Sequence, residues 1–304
     1  MILDLLSQNQ NRSLSNPQVF KFRTNAQNFR INFKITDTIH GNYPHVGLSL
    51  QEGIMVLYKK EEDICWLNVD AFTERYNRQI YMHHLVKENE EYEVLIYGPV
   101  LSKISVLKIE IPEGNTGSII TNDSELNILV AGGLISYGIG CTTASLTFSS
   151  MLGRKLEASV DQLTYNNANY LEKINEYFEK EPKLRKYDVG ILEADYVNQN
   201  DEITKKYLRK TIENMQKYCK TVICWYCLPK YKSSKKEAIH RLLDEISSNK
   251  VFIEDFSFLF DKKYNDICTY SGNFINDSGN MMIYKELEEI ILEKCLFFDM
   301  MGDF

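Results

Sequence analysis

The 304-residue sequence has no long hydrophobic run, since no apolar segment approaches the ~20 residues that a membrane-spanning helix needs. Its first residues, MILDLLSQNQNRSLSNPQ, have neither the basic start nor the apolar stretch of a secretory signal peptide. The seven cysteines are odd in number and scattered, which suits reduced thiols better than a disulfide framework. We therefore expect a soluble, cytoplasmic protein without a membrane partner.

Positive charge is not in excess either. The 35 lysines and arginines are outnumbered by 42 aspartates and glutamates, which gives a formal net charge of −7. Nucleic-acid-binding proteins neutralise phosphates with clustered basic residues, and no basic stripe stands out in this sequence. A nucleic acid is therefore not an expected partner. Internal repeats and low-complexity segments are absent as well.

The sequence also has no strong metal or cofactor motif. Cys224 and Cys227 form a C-x-x-C pair, but they lie in the strand-like run TVICWYCLP, where positions three apart point to opposite faces. No second pair completes the four ligands of a structural zinc site. The adjacent His83 and His84 cannot easily ligate one ion. We expect no metal and no cofactor.

What is present is an ordinary globular composition, 44% apolar and 25% charged, at a length typical of two domains. From about Val19 to Pro112 the chain has short runs rich in β-branched and aromatic residues, often alternating in polarity. They are FRINFKIT, GIMVLYKK, ICWLNVDAF, RQIYMHHLV, EYEVLIYGPV and SVLKIEIP. This spacing predicts an all-β domain, a β-sandwich or jelly roll, over residues 1–122.

Residues 123–304 have a different pattern, in which short apolar strands alternate with amphipathic helices. The predicted strands are NILVAGG, EASVDQL, YDVGILEAD, TVICWYCLP and VFIEDFS. Apolar stripes at 3.6-residue spacing, such as Leu171, Ile174 and Phe178, predict the helices. We therefore expect an α/β domain with a flavodoxin-like, doubly wound, parallel five-strand sheet. Ligands of such sheets bind beyond the carboxyl ends of the strands.

One of these strand ends carries the glycine-rich segment AGGLISYGIGC, residues 131–141, and the next helix closes with LGRKL. This run resembles the first block of the SGNH (GDSL-type) hydrolases, in the branch with an N-terminal β-sandwich. That block reads roughly Gly-[Asp/Ser/Thr]-Ser-Ile-[Ala/Thr]-x-Gly-x-Cys-Ala-Ser. The nucleophilic serine position is occupied by Leu134.

The last block resembles the same family. SGNFINDSG, residues 271–279, corresponds to Asp-Gly-x-His-Pro-x-Asp-x-Gly, so Ser271 takes the aspartate position and Phe274 the histidine position. A serine nucleophile needs a neighbouring base and an orienting carboxylate, and none of the three residues present can supply its part. The α/β domain has one histidine, His240, on a predicted helix away from this loop. We therefore do not expect a Ser-His-Asp hydrolase.

The resemblance also implies a ligand cleft. Thr164 falls near the usual oxyanion glycine, and Asn167 and Asn198 fall near the usual asparagines. Glu193 and Asp195 end the third parallel strand, where they are expected to be solvated or capping groups, or to orient a polar ligand. Together with the first and last blocks, the expected ligand-binding residues are Gly133, Leu134, Tyr137, Thr164, Asn167, Asp195, Asn198 and Phe274.

Two interpretations of Leu134 stay open. Either Leu134 and Phe274 fill the ancestral pocket against each other, or the cleft still binds a ligand without turning it over. Two rival nucleophiles lie nearby. Cys141 lies near a predicted helix N-terminus, where the helix dipole can lower a thiol pKa. The family block also carries cysteine there beside a separate serine nucleophile, so a packing role is the favoured interpretation. Ser136 lies in the same turn, where its alternative role is hydrogen bonding within the turn.

The resulting hypothesis is an SGNH-hydrolase-like pseudoenzyme that binds a ligand or a protein. Family members act on acylated sugars or small molecules, so the expected partner is such a molecule or an enzyme that handles acyl groups. The first alternative is a rewired esterase or acyltransferase that uses Cys141 or Ser136. The second is a carbohydrate-binding module that works through the β-sandwich.

Overall fold

The computed structural model describes residues 1–6, 17–36, 46–73, 78–121, 124–180, 183–194, 201–229, 233–246, 248, 250–270, 272 and 274–296. The chain forms two compact units. The first contains Met1–Asp123 together with Thr142–Ser145, and the second contains Ser124–Cys141 and Leu146–Phe304.

The first unit consists mainly of antiparallel strands. They are β1 (Ile2–Asp4), β2 (Val19–Thr24), β3 (Asn28–Thr36), β4 (Ile54–Lys60), β5 (Leu67–Phe72), β6 (Arg78–Tyr81), β7 (Tyr92–Tyr97), β8 (Lys103–Glu110) and β9 (Gly117–Ile119), with a short helix α1 (Leu48–Glu52) before β4. They form a four-stranded sheet in the order β1-β8-β3-β6 and a five-stranded sheet in the order β5-β4-β7-β2-β9.

The two sheets share one core because their strands alternate in polarity. In β3, NFRINFKIT, the side chains of Phe29, Ile31 and Phe33 are buried, while the residues between them face outward. Phe29 packs edge-to-face against Phe22 of β2, which lies in the other sheet, with ring centroids 5.4 Å apart. Each of the six predicted strand segments overlaps one of the observed strands, β3 to β8.

The second unit alternates strands and helices. Its strands are β10 (Asn127–Gly132), β11 (Ser159–Thr164), β12 (Tyr187–Glu193), β13 (Cys219–Tyr226), β14 (Val251–Asp255), β15 (Thr269–Tyr270) and β16 (Phe274–Ile275). Its helices are α2 (Leu134–Tyr137), α3 (Phe148–Lys155), α4 (Tyr170–Glu179), α5 (Asp201–Gln216), α6 (Ser233–Ile246), α7 (Asn265–Cys268) and α8 (Asp277–Ile290), and α8 continues as a π-helical segment, Ile291–Leu296.

Strands β10 to β14 form the predicted parallel sheet, in the order β11-β10-β12-β13-β14. This is the doubly wound order in which the crossover direction reverses beside β10. Helices α3 and α8 contribute to the core on the face that presents Ile128, Ile191 and Trp225. Gly190 faces the opposite side of β12, where a Cβ atom would contact Met215 of α5. The predicted five-strand parallel α/β sheet is confirmed.

Two short strands follow helix α7 and lead into the last helix. Strands β15 and β16 pair antiparallel, with Tyr270 opposite Phe274. Asn276 then caps α8, because its side chain accepts a hydrogen bond from the Gly279 N–H at 3.1 Å. Among the described residues, no helix combines the length and apolar character that crossing a membrane requires.

Candidate functional site

The glycine-rich segment forms a tight turn at the carboxyl end of β10. Gly132 ends the strand, and helix α2 begins at Leu134 and ends before Gly138, which has a φ of +94°. Gly140 follows with a φ of +107°, and a Cβ atom there would lie 2.0 Å from the carbonyl oxygen of Ile275. Glycine is therefore required at Gly140 both by its backbone angle and by the close approach of β16.

The carboxyl group of Glu193, the last residue of β12, lies beneath this turn. It accepts hydrogen bonds from three backbone N–H groups: Gly133 at 3.0 Å, Ser136 at 2.7 Å and Ile135 at 3.4 Å. These amides lie on both sides of Leu134. Their N–H groups point toward Glu193, so their hydrogen-bonding capacity is already used within the protein.

Glu193 is deeply buried, with 2% of its surface exposed. Burial raises its pKa above the ordinary value, while the hydrogen bonds from Ser136, Ile135 and Gly133 oppose that rise. Tyr170 of α4 closes the arrangement. Its hydroxyl donates to the Glu193 carbonyl oxygen at 2.9 Å, and its ring lies so close to Gly133 that a Cβ atom there would be 2.9 Å from it.

The two residues at the nucleophile and histidine positions are not fully buried. Leu134 is half-buried, and 36% of Phe274 is exposed. A pocket filled by these two side chains would bury both of them. Of the two interpretations, the partial exposure of Phe274 on β16 favours a surface that a ligand can contact over a fully filled pocket.

The rival nucleophile Cys141 is fully buried, and its Sγ lies 3.6 Å from the carbonyl oxygen of Leu146. Burial, with the nearby negative charge of Asp277, raises the pKa of the Cys141 thiol well above its ordinary value. A lowering of this pKa by a helix dipole is not seen, because helix α3 begins only at Phe148 and the thiol is shielded from solvent. The burial of Cys141 agrees with the favoured packing role.

Ser136 is also inaccessible, with 1% of its surface exposed. Its Oγ has no hydrogen bond of good geometry among the described residues, although it lies close enough to Glu193 to favour the ionised carboxylate. The expected hydrogen bond of its side chain within the turn is therefore not observed. Its backbone N–H instead makes the shortest of the hydrogen bonds to Glu193.

The remaining predicted ligand-binding residues are distributed around the same end of the sheet. Thr164 ends β11 beside Gly132 and is half-buried, as is Tyr137 of α2. Asn167 follows in the connection to α4 and is exposed. The structure thus brings Gly133, Leu134, Tyr137 and Thr164 to the carboxyl end of neighbouring strands. Asp195, Asn198 and Ser271 lie outside the described residues.

Other predicted features contribute nothing to this site. Cys224 and Cys227 are buried, and Cys227 Sγ donates to the Phe256 carbonyl oxygen at 3.2 Å. The rings of His83 and His84 contact each other at a tilt, with centroids 3.9 Å apart. Within the described part of the chain, no group of three His, Cys, Asp or Glu residues could hold a metal ion.

The sequence suggested Glu193 only as a strand-end carboxylate, solvated or capping, or as a group that orients a polar ligand. The structure corrects the solvated alternative and supports capping. The available signal was an acidic residue that directly ends the apolar run YDVGIL, where solvent is excluded on both faces of the strand. What the pattern could not show is that the carboxyl group reaches across to the turn after the neighbouring strand.

Comparison with known proteins supports this architecture at low sequence identity. No protein-family model matches the sequence. No curated protein matches it either. Several solved structures are similar to it. A GDSL-like lipase candidate from Bacteroides ovatus has a TM-score of 0.72 and 14% identity, covering 92% of this chain and 85% of that chain.

The salicylyl-acyltransferase SsfX3 of a tetracycline biosynthetic pathway has a TM-score of 0.62 and 10% identity, covering 90% and 81% of the two chains. A family two carbohydrate esterase from Clostridium thermocellum, solved with cellohexaose, has a TM-score of 0.62 and 8% identity, covering 97% and 99%. At such identities the likeness establishes the fold alone. The chain therefore has the SGNH-like α/β fold found in GDSL-like lipases and carbohydrate esterases.

Proposed function

We propose that this protein is a non-catalytic member of the SGNH-like fold that binds a ligand at the carboxyl end of its parallel sheet. The observation that carries the proposal is the turn after β10. Leu134 stands at the nucleophile position of this turn, and the Glu193 carboxyl group accepts hydrogen bonds from the Gly133 and Ser136 N–H groups on either side of it. A leucine side chain can contact a ligand but cannot attack it. Phe274 and Leu134 remain partly exposed and offer an apolar surface to such a ligand.

The rewired-enzyme alternative is less well supported. A serine or thiol nucleophile must reach its substrate and must be activated by a base or by a lowered pKa. Ser136 and Cys141 are both buried, and burial raises the pKa of the Cys141 thiol. Glu193 is the carboxyl group closest to Ser136 in this turn, but it is committed to backbone donors.

The fold neighbours and the partly exposed apolar residues support a proposal for the ligand class. The related structures are an acyltransferase and a carbohydrate esterase bound to cellohexaose. We infer that this chain takes an acylated sugar or small molecule, or pairs with an enzyme that handles acyl groups. We further infer a β-sandwich domain over residues 1–122, an α/β domain over residues 123–304 and a cytoplasmic location, with neither nucleic acid nor membrane as a partner.

Ester hydrolysis tests the non-catalytic assignment. p-Nitrophenyl acetate and butyrate would be offered to the wild type and to Ser136→Ala and Cys141→Ala. We expect only the background rate of a folded protein surface, unchanged in both variants, because neither side chain is accessible. Turnover that one substitution abolishes would overturn the proposal and identify the nucleophile.

A second candidate, carbohydrate binding through the first unit, is favoured by one exposed aromatic. Tyr81 on the edge strand β6 is 64% exposed and stands edge-on to the ring of His83. Exposed aromatic faces are where sugar rings stack. Titration of the full chain with cello-oligosaccharides, compared with Tyr81→Ala, tests it: binding that the substitution leaves unchanged would exclude this surface.

A further inference from the structure

Strand β12 carries a carboxyl group near each end, and each group accepts hydrogen bonds from backbone amides of strand β10 or of the turn that follows it. The two groups differ in their exposure to solvent. At one end, Asp188 accepts the N–H of Asn127 at 2.9 Å and pairs with Lys220 at 2.9 Å, with its side chain 24% exposed. At the other end, Glu193 accepts three N–H groups and is buried, with no ion pair to a described residue. The chain thus holds a matched pair of carboxyl groups, one solvated and one enclosed.

Burying a carboxyl group is costly unless hydrogen bonds replace the lost water. For Glu193 that replacement comes from backbone amides of the turn. The Gly133 and Ser136 amides are buried and depend on Glu193 for a hydrogen-bond partner, because water cannot replace it there. Ser136 adds a buried hydroxyl beside the same carboxyl group, without a well-formed hydrogen bond of its own among the described residues. The turn and Glu193 therefore form a single closed unit.

We propose that Glu193 is the positioning residue of this turn, and that its carboxyl group acts as a permanent internal ligand of the Gly133, Ile135 and Ser136 amides. The turn that presents Leu134 is held in place from below, and these amides have no capacity left for an anionic ligand. Resting on the proposed function, this argues against an anionic ligand at this turn, because an added anion would meet a carboxyl group instead of free donors.

Chemical rescue tests the proposal. Glu193→Ala removes the carboxyl group and leaves an enclosed space lined by amide donors. Sodium acetate should raise the unfolding temperature of this variant in a concentration-dependent way, as binding linkage requires. Acetamide at the same concentration should not, and sodium chloride at matched ionic strength should not. The wild type should not respond specifically to acetate.

Asp188→Ala is the matched control. Its carboxyl group likewise accepts a backbone amide, that of Asn127 in β10, but its side chain is partly exposed, so water can replace it and acetate should give no specific stabilisation. Equal responses of the two alanine variants to acetate would overturn the proposal. So would the absence of any acetate effect on Glu193→Ala.

If Glu193→Ala does not fold, Glu193→Gln keeps the side-chain volume and provides a second measurement. Hydrogen exchange of the peptide that contains Gly133 to Ser136 should be slow in the wild type and markedly faster in Glu193→Gln, with other strands unchanged. Unaltered protection would overturn the positioning role. Failure of the proposed function is distinguishable, because it would appear as ester turnover by the wild type irrespective of these results.

Discussion

Gly140 illustrates how one residue fixes the geometry of the loop after α2. Its φ of +107° is disfavoured for side chains with a Cβ atom, and that atom would lie 2.0 Å from the Ile275 carbonyl oxygen. We expect Gly140→Ala to lower the free energy of unfolding by about 3 kcal/mol, since strain and a backbone clash add together. Urea unfolding followed by circular dichroism measures this.

Gly114→Ala is the control for the backbone angle alone. Gly114 also has a positive φ, +86°, but beyond its chain neighbours no atom of the described residues lies within 4 Å of the place a Cβ atom would take. We expect a loss of about 1 kcal/mol, the cost of the left-handed conformation without a clash. A Gly140→Ala variant no less stable than Gly114→Ala would show that β16 does not press against this loop.

Glu193 predicts a specific pH dependence of stability. Burial raises its pKa in the folded state above 4.5, so the folded protein binds this proton more tightly than the unfolded chain. The contribution of Glu193 is therefore most favourable below the unfolded pKa and declines as pH rises through the folded pKa. The wild type should lose stability relative to Glu193→Gln over that interval.

Chemical unfolding of both proteins across a pH series gives this difference directly. The test depends on how the difference in unfolding free energy between the two proteins changes with pH. The absolute size of that difference matters less, because glutamine changes the hydrogen bonds at every pH. A difference that is constant with pH, or that grows in favour of the wild type as pH rises, would contradict the buried, proton-favouring environment of Glu193.

At the scale of the single residue, the sequence predicts the chemistry of a side chain but not its exposure to solvent. The sequence alone shows that Leu134 and Phe274 lack the chemistry of a nucleophile and a base. It could not show that Phe274 is exposed or that Cys141 is sealed, because solvent access depends on elements distant in sequence. Burial raises the pKa of the Cys141 thiol, opposite to the lowering that a helix dipole would give.

At the scale of the element, Asn276 is the residue that starts helix α8. Its Oδ1 accepts the Gly279 N–H at 3.1 Å, and its Nδ2 donates to the Ile267 carbonyl oxygen at 2.7 Å. Asn276→Ala should cost about 1–2 kcal/mol of stability, the usual value for a lost N-cap. Asn276→Asp keeps the capping acceptor and loses the second bond, so thermal unfolding should place it between the wild type and alanine.

Elements with strong periodicity were predictable, and the shortest ones were not. Strands β10, β12 and β13 are largely apolar runs, and α4 buries Leu171, Ile174 and Phe178 at the expected spacing. Strands β15 and β16 have two residues each and carry no period, so only their mutual pairing defines them. Their hairpin decides where Phe274 lies, which is why the last block of the site could not be placed from the sequence.

At the scale of the whole molecule, the folded chain should expose a single thiol. Cys65 is exposed, whereas the other six cysteines are buried. A thiol-specific chromogenic reagent should therefore label one cysteine rapidly in the native protein and all seven in denaturant. Cys65→Ser should abolish the native signal and Cys141→Ala should leave it unchanged. Rapid labelling of Cys141 would contradict the closed packing around it.

The sequence by itself determined the parallel α/β sheet, the alternation of strands in the first unit and the inert side-chain chemistry of Leu134 and Phe274. These are properties of local periodicity and of residue type at single positions. Only the tertiary structure decided that Glu193 holds the turn from beneath and that Ser136 and Cys141 are out of reach. Those facts come from side chains that meet across neighbouring strands, where hydrogen bonding and loss of water depend on the packed arrangement of the whole domain.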